Sequence, residues 1–212
     1  EAASQLVATE NGTESLFFDG ETHRTTLKLS RGWGSGREVG IEIPYVRHGG
    51  GFLDSFIEGW HDFFGLPQGG RDQMPRDQLL YQYRRDGVNR ISLNQAAAGM
   101  GDVRLTLGQT WTGGDHGVAD ATLRFSLKLP AGDADRLLGS GAPDAAAWIS
   151  AACRQAACTG PLSWYGGGGW LWAGRGDVLP DQQRHLVGFG SAGLHWKAFP
   201  RVTLAAQIDQ IE

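Results

Sequence analysis

The sequence predicts an all-β chain, folded as an antiparallel up-and-down β-barrel of the transmembrane type, and three observations predict it. Apolar and polar residues alternate with period two in segment after segment, as in a strand with one greasy and one wet face. Gly-bearing turns and two long connections separate the segments, and in outer-membrane barrels short and long connections sort to opposite ends. Aromatic residues gather near predicted strand ends, where amphipathic rings favour a headgroup zone.

The strands follow in order. A faint candidate runs from Gln5 to Ala8. From Thr22 to Ser30, Thr25, Leu27 and Leu29 fall opposite Arg24, Thr26, Lys28 and Ser30. From Glu38 to Tyr45, Val39, Ile41, Ile43 and Tyr45 oppose Glu38, Gly40 and Glu42. Weaker patterns span Gln78 to Arg84 and Val88 to Gln95. Between Asp102 and Trp111, Val103, Leu105, Leu107 and Trp111 oppose Arg104, Thr106, Gly108 and Thr110. The cleanest alternation runs from Ala119 to Leu129, with Ala121, Leu123, Phe125, Leu127 and Leu129 against Asp120, Thr122, Arg124, Ser126 and Lys128. Leu162 to Ala173 and His185 to Trp196 are weaker. Val202, Leu204, Ala206 and Ile208 against Thr203, Ala205, Gln207 and Asp209 mark a late strand.

Short turns are expected at Arg31 to Gly36, Arg85-Asp86-Gly87 and Thr112 to Gly117, with long connections over Arg47 to Arg76 and Pro130 to Pro161. Two further turns, at Ala96 to Gly101 and Lys197 to Pro200, break the regular alternation of short and long. The interface aromatics are Tyr45, Trp111, Trp164, Trp170, Trp172 and Trp196. One segment has helical spacing: Phe52, Leu53, Phe56, Ile57, Trp60, Phe63 and Phe64 form a stripe between Gly49-Gly50-Gly51 and Gly65-Leu66-Pro67. A short amphipathic helix over 52–64 could lie along a membrane interface or enter the barrel mouth as a partial plug.

Composition bounds the function. A formal net charge of −4 leaves no basic footprint for nucleic acid. No apolar run approaches the ~18 residues of a membrane helix. Any crossing must then use strands, and in lipid their edges must close. Glu1 to Gln5 has neither the basic start nor the apolar stretch of a signal peptide, so a mature chain or a segment of something longer is expected. Cys153 and Cys158 suit a short-loop disulfide in an oxidising compartment, with free thiols the other reading. Two cysteines without a neighbouring histidine fall short of a zinc site.

A soluble sandwich alternates too, but it turns its apolar rows to a partner sheet, whereas a membrane barrel turns them to lipid and lines its lumen with the polar rows. The polar rows carry both signs among Thr, Ser and Gly: Arg24, Lys28, Glu38, Glu42, Arg84, Arg90, Arg104, Arg124 and Lys128. Cross-paired in a lumen, they favour the barrel. Arg24, Lys28, Glu42, Arg104, Arg124 and Lys128 are the expected lumen lining.

Several stretches carry a resemblance. Gly50-Gly51-Phe52-Leu53-Asp54-Ser55-Phe56-Ile57-Glu58, His61-Asp62-Phe63-Phe64-Gly65-Leu66-Pro67 and Gly69-Gly70-Arg71 are the most specific. Leu16-Phe17-Phe18-Asp19-Gly20-Glu21, Gly99-Met100-Gly101-Asp102, Leu127 to Gly132 and Leu138-Gly139-Ser140-Gly141 extend the match over nearly the whole chain. Together they resemble an uncharacterised family of Gram-negative envelope proteins. That family is distantly similar to outer-membrane proteins of the phenol-degradation meta-pathway type. The resemblance implies an outer-membrane β-barrel and no reaction. Its members extend further at both ends, so the chain is expected to be a single barrel domain over 1–212, truncated at both ends and left open.

Within the helix, Asp54, Glu58 and His61 share one face. They read either as a lumen-facing acid–imidazole cluster able to hold a cation or relay a proton, or as the wet side of an amphipathic helix. No metal site is expected, since no further ligands lie nearby. Arg71, Asp72, Arg76 and Asp77 could pin the long loop to the lumen wall, and solvated loop charges are the alternative. Gly166 to Gly169 lacks the Lys-Ser/Thr of a phosphate loop and reads as a bend or a close approach to a bulky neighbour. Ser55 with His61, or Ser191 with His195, would be the pairs of a hydrolase, but nothing singles them out and no enzyme is expected. Neither is a cofactor. The expected partners are outer-membrane lipid and a small solute. A structural or adhesive envelope protein and a soluble all-β binding module are the alternatives.

Overall fold

A computed structural model describes residues 1–113, 119–153, 158, 160–199 and 201–212. The strands are β1 (Ala2–Asn11), β2 (Glu14–Trp33), β3 (Arg37–Gly49), β4 (Leu80–Arg85), β5 (Val88–Leu93), β6 (Ala97–Met100), β7 (Val103–Trp111), β8 (Ala119–Leu129), β9 (Asp144–Cys153), β10 (Leu162–Ala173), β11 (Leu186–Phe199) and β12 (Val202–Ile211). One helix, α1 (Asp54–Phe64), and two 3-10 turns at Arg71–Gln73 and Pro180–Gln182 complete the elements. All strands belong to one antiparallel up-and-down sheet of twelve, ordered β12-β11-β10-β9-β8-β7-β3-β2-β4-β5, with β1 on β2 and β6 on β3. The sheet does not close: its order ends at β12 and at β5, and β1 has β2 alone as a partner.

Two expectations from sequence are corrected here. The stretch Ala96 to Gly101 is not a reversal. Tyr45 to His48 of β3 pair with β6 and Arg37 to Glu42 pair with β7, in one continuous sense, so β5, β6 and β7 follow one another as a single interrupted strand. The second correction is β9, which lies inside what reads as one long connection from Pro130 to Pro161. Its alternation hides because Ala145, Ala147 and Ala151 face one way and Ala146 and Ala152 the other, and alanine carries little strand preference.

With both corrections the connections sort by length, two short turns apart. The ends at which β2 meets β3, β7 meets β8, β9 meets β10 and β11 meets β12 lie together at one end, the turn end. Residues 50–79, 130–143 and 174–185 join strands at the other, the loop end. The exceptions are the two-residue turns at 12–13 and 86–87, which are short and lie beyond the loop end. The turn expected at Thr112 to Gly117 falls mostly outside the described residues.

The two faces differ sharply. Along β8, Phe125 and Leu127 are 52% and 42% exposed, while Ser126 between them is 6% exposed. The exposed face carries the apolar row on every long strand: Leu27, Leu29, Val39, Leu105, Leu107, Ile149, Leu194 and Leu204 are all open. No second sheet covers it among the described residues. Large aromatics border this row. Trp33, Trp111, Trp164 and Trp196 stand toward the turn end, and Tyr45, Trp170 and Trp172 toward the loop end. Trp164 and Trp172 lie eight residues apart on β10, roughly 26 Å along a strand, close to the height of an outer-membrane apolar band.

Loops shelter the opposite face at the loop end. Leu138 packs with Val46, Tyr81, Leu93 and Ala97, beside Phe18, Leu79 and Leu137, as the one buried apolar cluster among the described residues. The Leu137 carbonyl lies 3.0 Å from His48 Nε2, and Gln182 Nε2 donates to Tyr83 Oη at 2.7 Å. Connections that leave β8 and β10 thus reach across to β3 and β4, over the face that carries the charged residues.

The quartet Gly166 to Gly169 serves close approach. A Cβ on Gly169 would lie 2.2 Å from the Ala147 carbonyl oxygen and 2.5 Å from Trp148 Cβ, so Trp148 of β9 occupies the space that a side chain on β10 would take. Cys153 and Cys158, Cα atoms 6.1 Å apart, form a disulfide at the turn end.

Candidate functional site

Strand register assembles the charged residues. Lys28 of β2 pairs with Glu42 of β3, Glu42 with Arg104 of β7, Arg104 with Lys128 of β8, and Lys128 with Asp144 of β9. Five strands therefore present one row of charges, positive, negative, positive, positive, negative, across the face opposite the apolar row. The row is sheltered at Lys128 and Asp144 and open at Lys28, whose side chain is 69% exposed. Lys28 Nζ meets Glu42 Oε1 at 2.9 Å. Lys128 Nζ lies 2.5 Å from Asp144 Oδ2, 3.3 Å from Asp102 Oδ2 and 2.5 Å from Ser140 Oγ. Four residues nearer the turn end of β7, Gly108 leaves room for Glu38 to reach past it, and Arg124 Nε donates to Glu38 Oε1 at 2.6 Å. Arg24 belongs to the same face, one pleat beyond Thr26.

Sequence reasoning missed the acids Asp102 and Asp144, which stand at strand boundaries, outside the alternation. Asp102, in the bend between β6 and β7, ties down the 130–143 loop. Its carboxylate accepts from the Ser140 amide at 2.9 Å, the Ser140 hydroxyl at 3.1 Å and the Gly132 amide at 3.1 Å. Burial pushes the Asp102 carboxyl up, but those amides, the Lys128 ammonium and the Ser140 hydroxyl outweigh it and hold it below the usual carboxylate range. Arg24, Glu42, His48, Arg104, Lys128 and Ser140 are among the residues that line a cavity of about 520 Å³ here. Such a cavity offers both signs of charge to a polar solute.

The helix that carries Asp54, Glu58 and His61 lies elsewhere, on the face of the sheet opposite the charged row. Thr22 points to the sheltered face, where its hydroxyl meets His48 Nδ1 at 2.9 Å. Its neighbour Glu21 points the other way, and α1 sits on Glu21. The Glu21 carboxylate, 1% exposed, accepts from the Phe52 amide at 2.9 Å and the Leu53 amide at 2.5 Å. It thus neutralises donors that a helix start leaves open. Asp54 Oδ1 pairs with Arg71 Nη1 at 2.9 Å, and Asp54 Oδ2 accepts from the Asp77 amide at 2.9 Å. Glu58 Oε2 takes Arg76 through Nε at 3.0 Å and Nη2 at 2.5 Å. Arg71 also reaches Ser4 Oγ of β1 at 3.0 Å.

The loop charges therefore pin α1 to the exposed face of the sheet, opposite the charged row; the side chain of Asp72 lies outside the described residues. His61 joins neither pair, and its Nδ1 is buried without a hydrogen-bond partner. Among the described residues no three His, Cys, Asp or Glu side chains stand together as metal ligands.

A profile of one protein family, described as proteins of unknown function, matches residues 1–212. The chain belongs to the DUF3187 family. No curated protein matches it. Membership in DUF3187 thus supplies a family without a reaction, and the chemistry of this DUF3187 chain has to be read from its own charged row and helix clamp.

Proposed function

We propose that this protein is a β-barrel of the bacterial outer membrane that admits small polar or amphipathic solutes through a charged interior, and that it is not an enzyme. The observation that carries the reading is the inversion of the sheet. Leu27, Leu107, Phe125 and Ile149 are open while Ser126, Lys128 and Asp144 on the opposite pleat are sheltered. Exposed rows of that kind are costly in water and are the lipid face of a barrel. Aromatics on both borders of the row suit the two interfaces. The resemblance to Gram-negative envelope proteins points the same way.

In lipid the free edges of β1 and β12 have to be satisfied, so the reading requires them to close on each other or to be bridged by further strands. The 130–143 and 174–185 loops then narrow the mouth at the loop end, and Lys28, Glu42, Arg104, Arg124 and Lys128 meet the solute.

The test is expression in a Gram-negative host, recovery from outer-membrane fractions and reconstitution in planar bilayers. Stepwise conductance, with a folded form that migrates faster than the boiled one, is the expected result. Inserted protein without conductance or solute uptake removes the transport reading. Protein that stays in solution without detergent removes the barrel itself.

A further inference from the structure

We infer that α1 is an interfacial anchor, whose aromatic stripe lies in the headgroup–acyl boundary of the leaflet at the loop end; this rests on the membrane-barrel reading above. The helix is amphipathic in the reverse of the usual sense. Its acidic side is turned to protein, with Asp54 and Glu58 each 8% exposed, and its aromatic side is turned away. Phe56, Trp60, Phe63 and Phe64 are 65%, 52%, 81% and 53% exposed, and Phe52 and Leu66 extend the patch. In a helix these positions form one stripe.

The clamp explains why the stripe cannot turn inward. Glu21 holds the helix start, Arg71 and Arg76 hold its two carboxylates, and Gly51 passes so close to Glu21 that a Cβ would lie 1.8 Å from Glu21 Cδ. Gly51 also has φ +81°, a conformation suited to glycine. Rotating the stripe into the protein would break two ion pairs and expose a buried carboxylate.

Position argues for lipid as the occupant. Glu21 lies on the same pleat as Thr25 and Leu27, so α1 covers the outer face where the apolar row ends. Thr25 pairs with Tyr45, the loop-end aromatic of β3. Four residues separate Thr25 from Glu21, about 13 Å along a strand. The stripe therefore begins just outside the aromatic border and continues its apolar surface. It is built of rings more than aliphatics, and Phe and Trp are the residues that interfacial helices bury. Cations flank it. Arg47 is exposed on the same face, opposite His23, whose ring stacks on Phe52 at 6.0 Å. Arg76, although held by Glu58 on the other side of the helix, keeps 62% of its side chain exposed. Guanidinium groups beside rings suit glycerophospholipid phosphates above acyl chains.

The experiment reconstitutes the full chain in phosphatidylcholine vesicles carrying bromine either near the glycerol end or deep in the acyl chains, and subtracts the emission of Trp60→Phe from that of the wild type. The Trp60 component is expected to lose most of its emission to the shallow label and little to the deep one, and to be shielded from aqueous iodide. The barrel tryptophans, unchanged in both proteins, report insertion independently. Quenching of those by bromolipid, with Trp60 open to iodide, overturns the anchor and leaves the barrel standing. A photo-crosslinker at Phe63 that captures a second copy of the chain and not lipid overturns it too. Loss of all bromolipid quenching overturns the anchor together with the barrel. Phe56→Ser with Phe63→Ser, which leaves the clamp intact, is expected to abolish the shielding of Trp60.

Discussion

Glu21 shows how much one side chain can organise. It sits in a strand that otherwise alternates simply, yet it is buried and accepts two backbone amides from the start of α1. Glu21→Ala leaves those donors unpaired, at a cost of about 1–3 kcal/mol for each buried group. The loss is local. Amide exchange across 52–64 is expected to accelerate by one to two orders of magnitude or more, while that of β7 and β8 is unchanged; equal acceleration everywhere would show that the clamp is not a separate unit.

Asp102 carries a pH dependence of definite sign. Its folded-state pKa lies below the ordinary value, so its contribution is complete above about pH 4, the unfolded carboxylate value, and is lost as pH falls through the folded value. Release of the 130–143 loop, followed by protease cleavage at Arg136, is therefore expected to rise in acid. In Asp102→Asn the loop is already loosened at neutral pH, and acid is expected to add little.

At the scale of elements, packing on the sheltered face decides which strands can be neighbours. Trp148 on β9 lies over Gly169 on β10, and Tyr165 on β10 fills the place a side chain at Gly193 on β11 would need. Gly169→Ala sets a methyl against a backbone carbonyl that cannot swing aside, and overpacking of this kind costs about 1–3 kcal/mol. The expected outcome is a lower midpoint in urea-driven unfolding from detergent, and Trp148→Ala in the same chain should recover part of it; an unchanged midpoint would mean that β9 and β10 do not pack as described. The element that departs most from expectation is α1. Its amphipathic pattern alone did not say which side would face protein, because an acidic face is wet only when no arginines come to meet it.

For the whole molecule, the charged row is the feature with a functional readout. Arg124 and Glu38 face each other across Gly108 at 2.6 Å. Arg124→Glu puts two like charges there, and with the solute path lined as proposed it should shift ion selectivity toward cations. Reversal potentials under a salt gradient measure this, and an unaltered potential in a conducting channel would place the path elsewhere. The effect should shrink as ionic strength rises, since such charges are screened over about 10 Å at 0.1 M salt.

The strands with strict alternation, β3, β7, β8 and β12, were legible because a pleat forces side chains to opposite faces and leaves its period in the residues. The ends of β8 and β10 were read at their observed residues. The Gly-Gly-Gly before α1 and the Gly-Leu-Pro after it marked the helix for the same local reason. What local rules could not show was any relation between distant residues. The reversal at Ala96 to Gly101 vanished only when β6 and β7 were seen to share β3, and β9 emerged only through its pairing, since alanine looks alike on both faces. The destination of Asp54 and Glu58 depended on Glu21, Arg71 and Arg76, whose charges meet only after the loop folds back onto the exposed face of the sheet. Period belongs to the chain; partnership belongs to the fold.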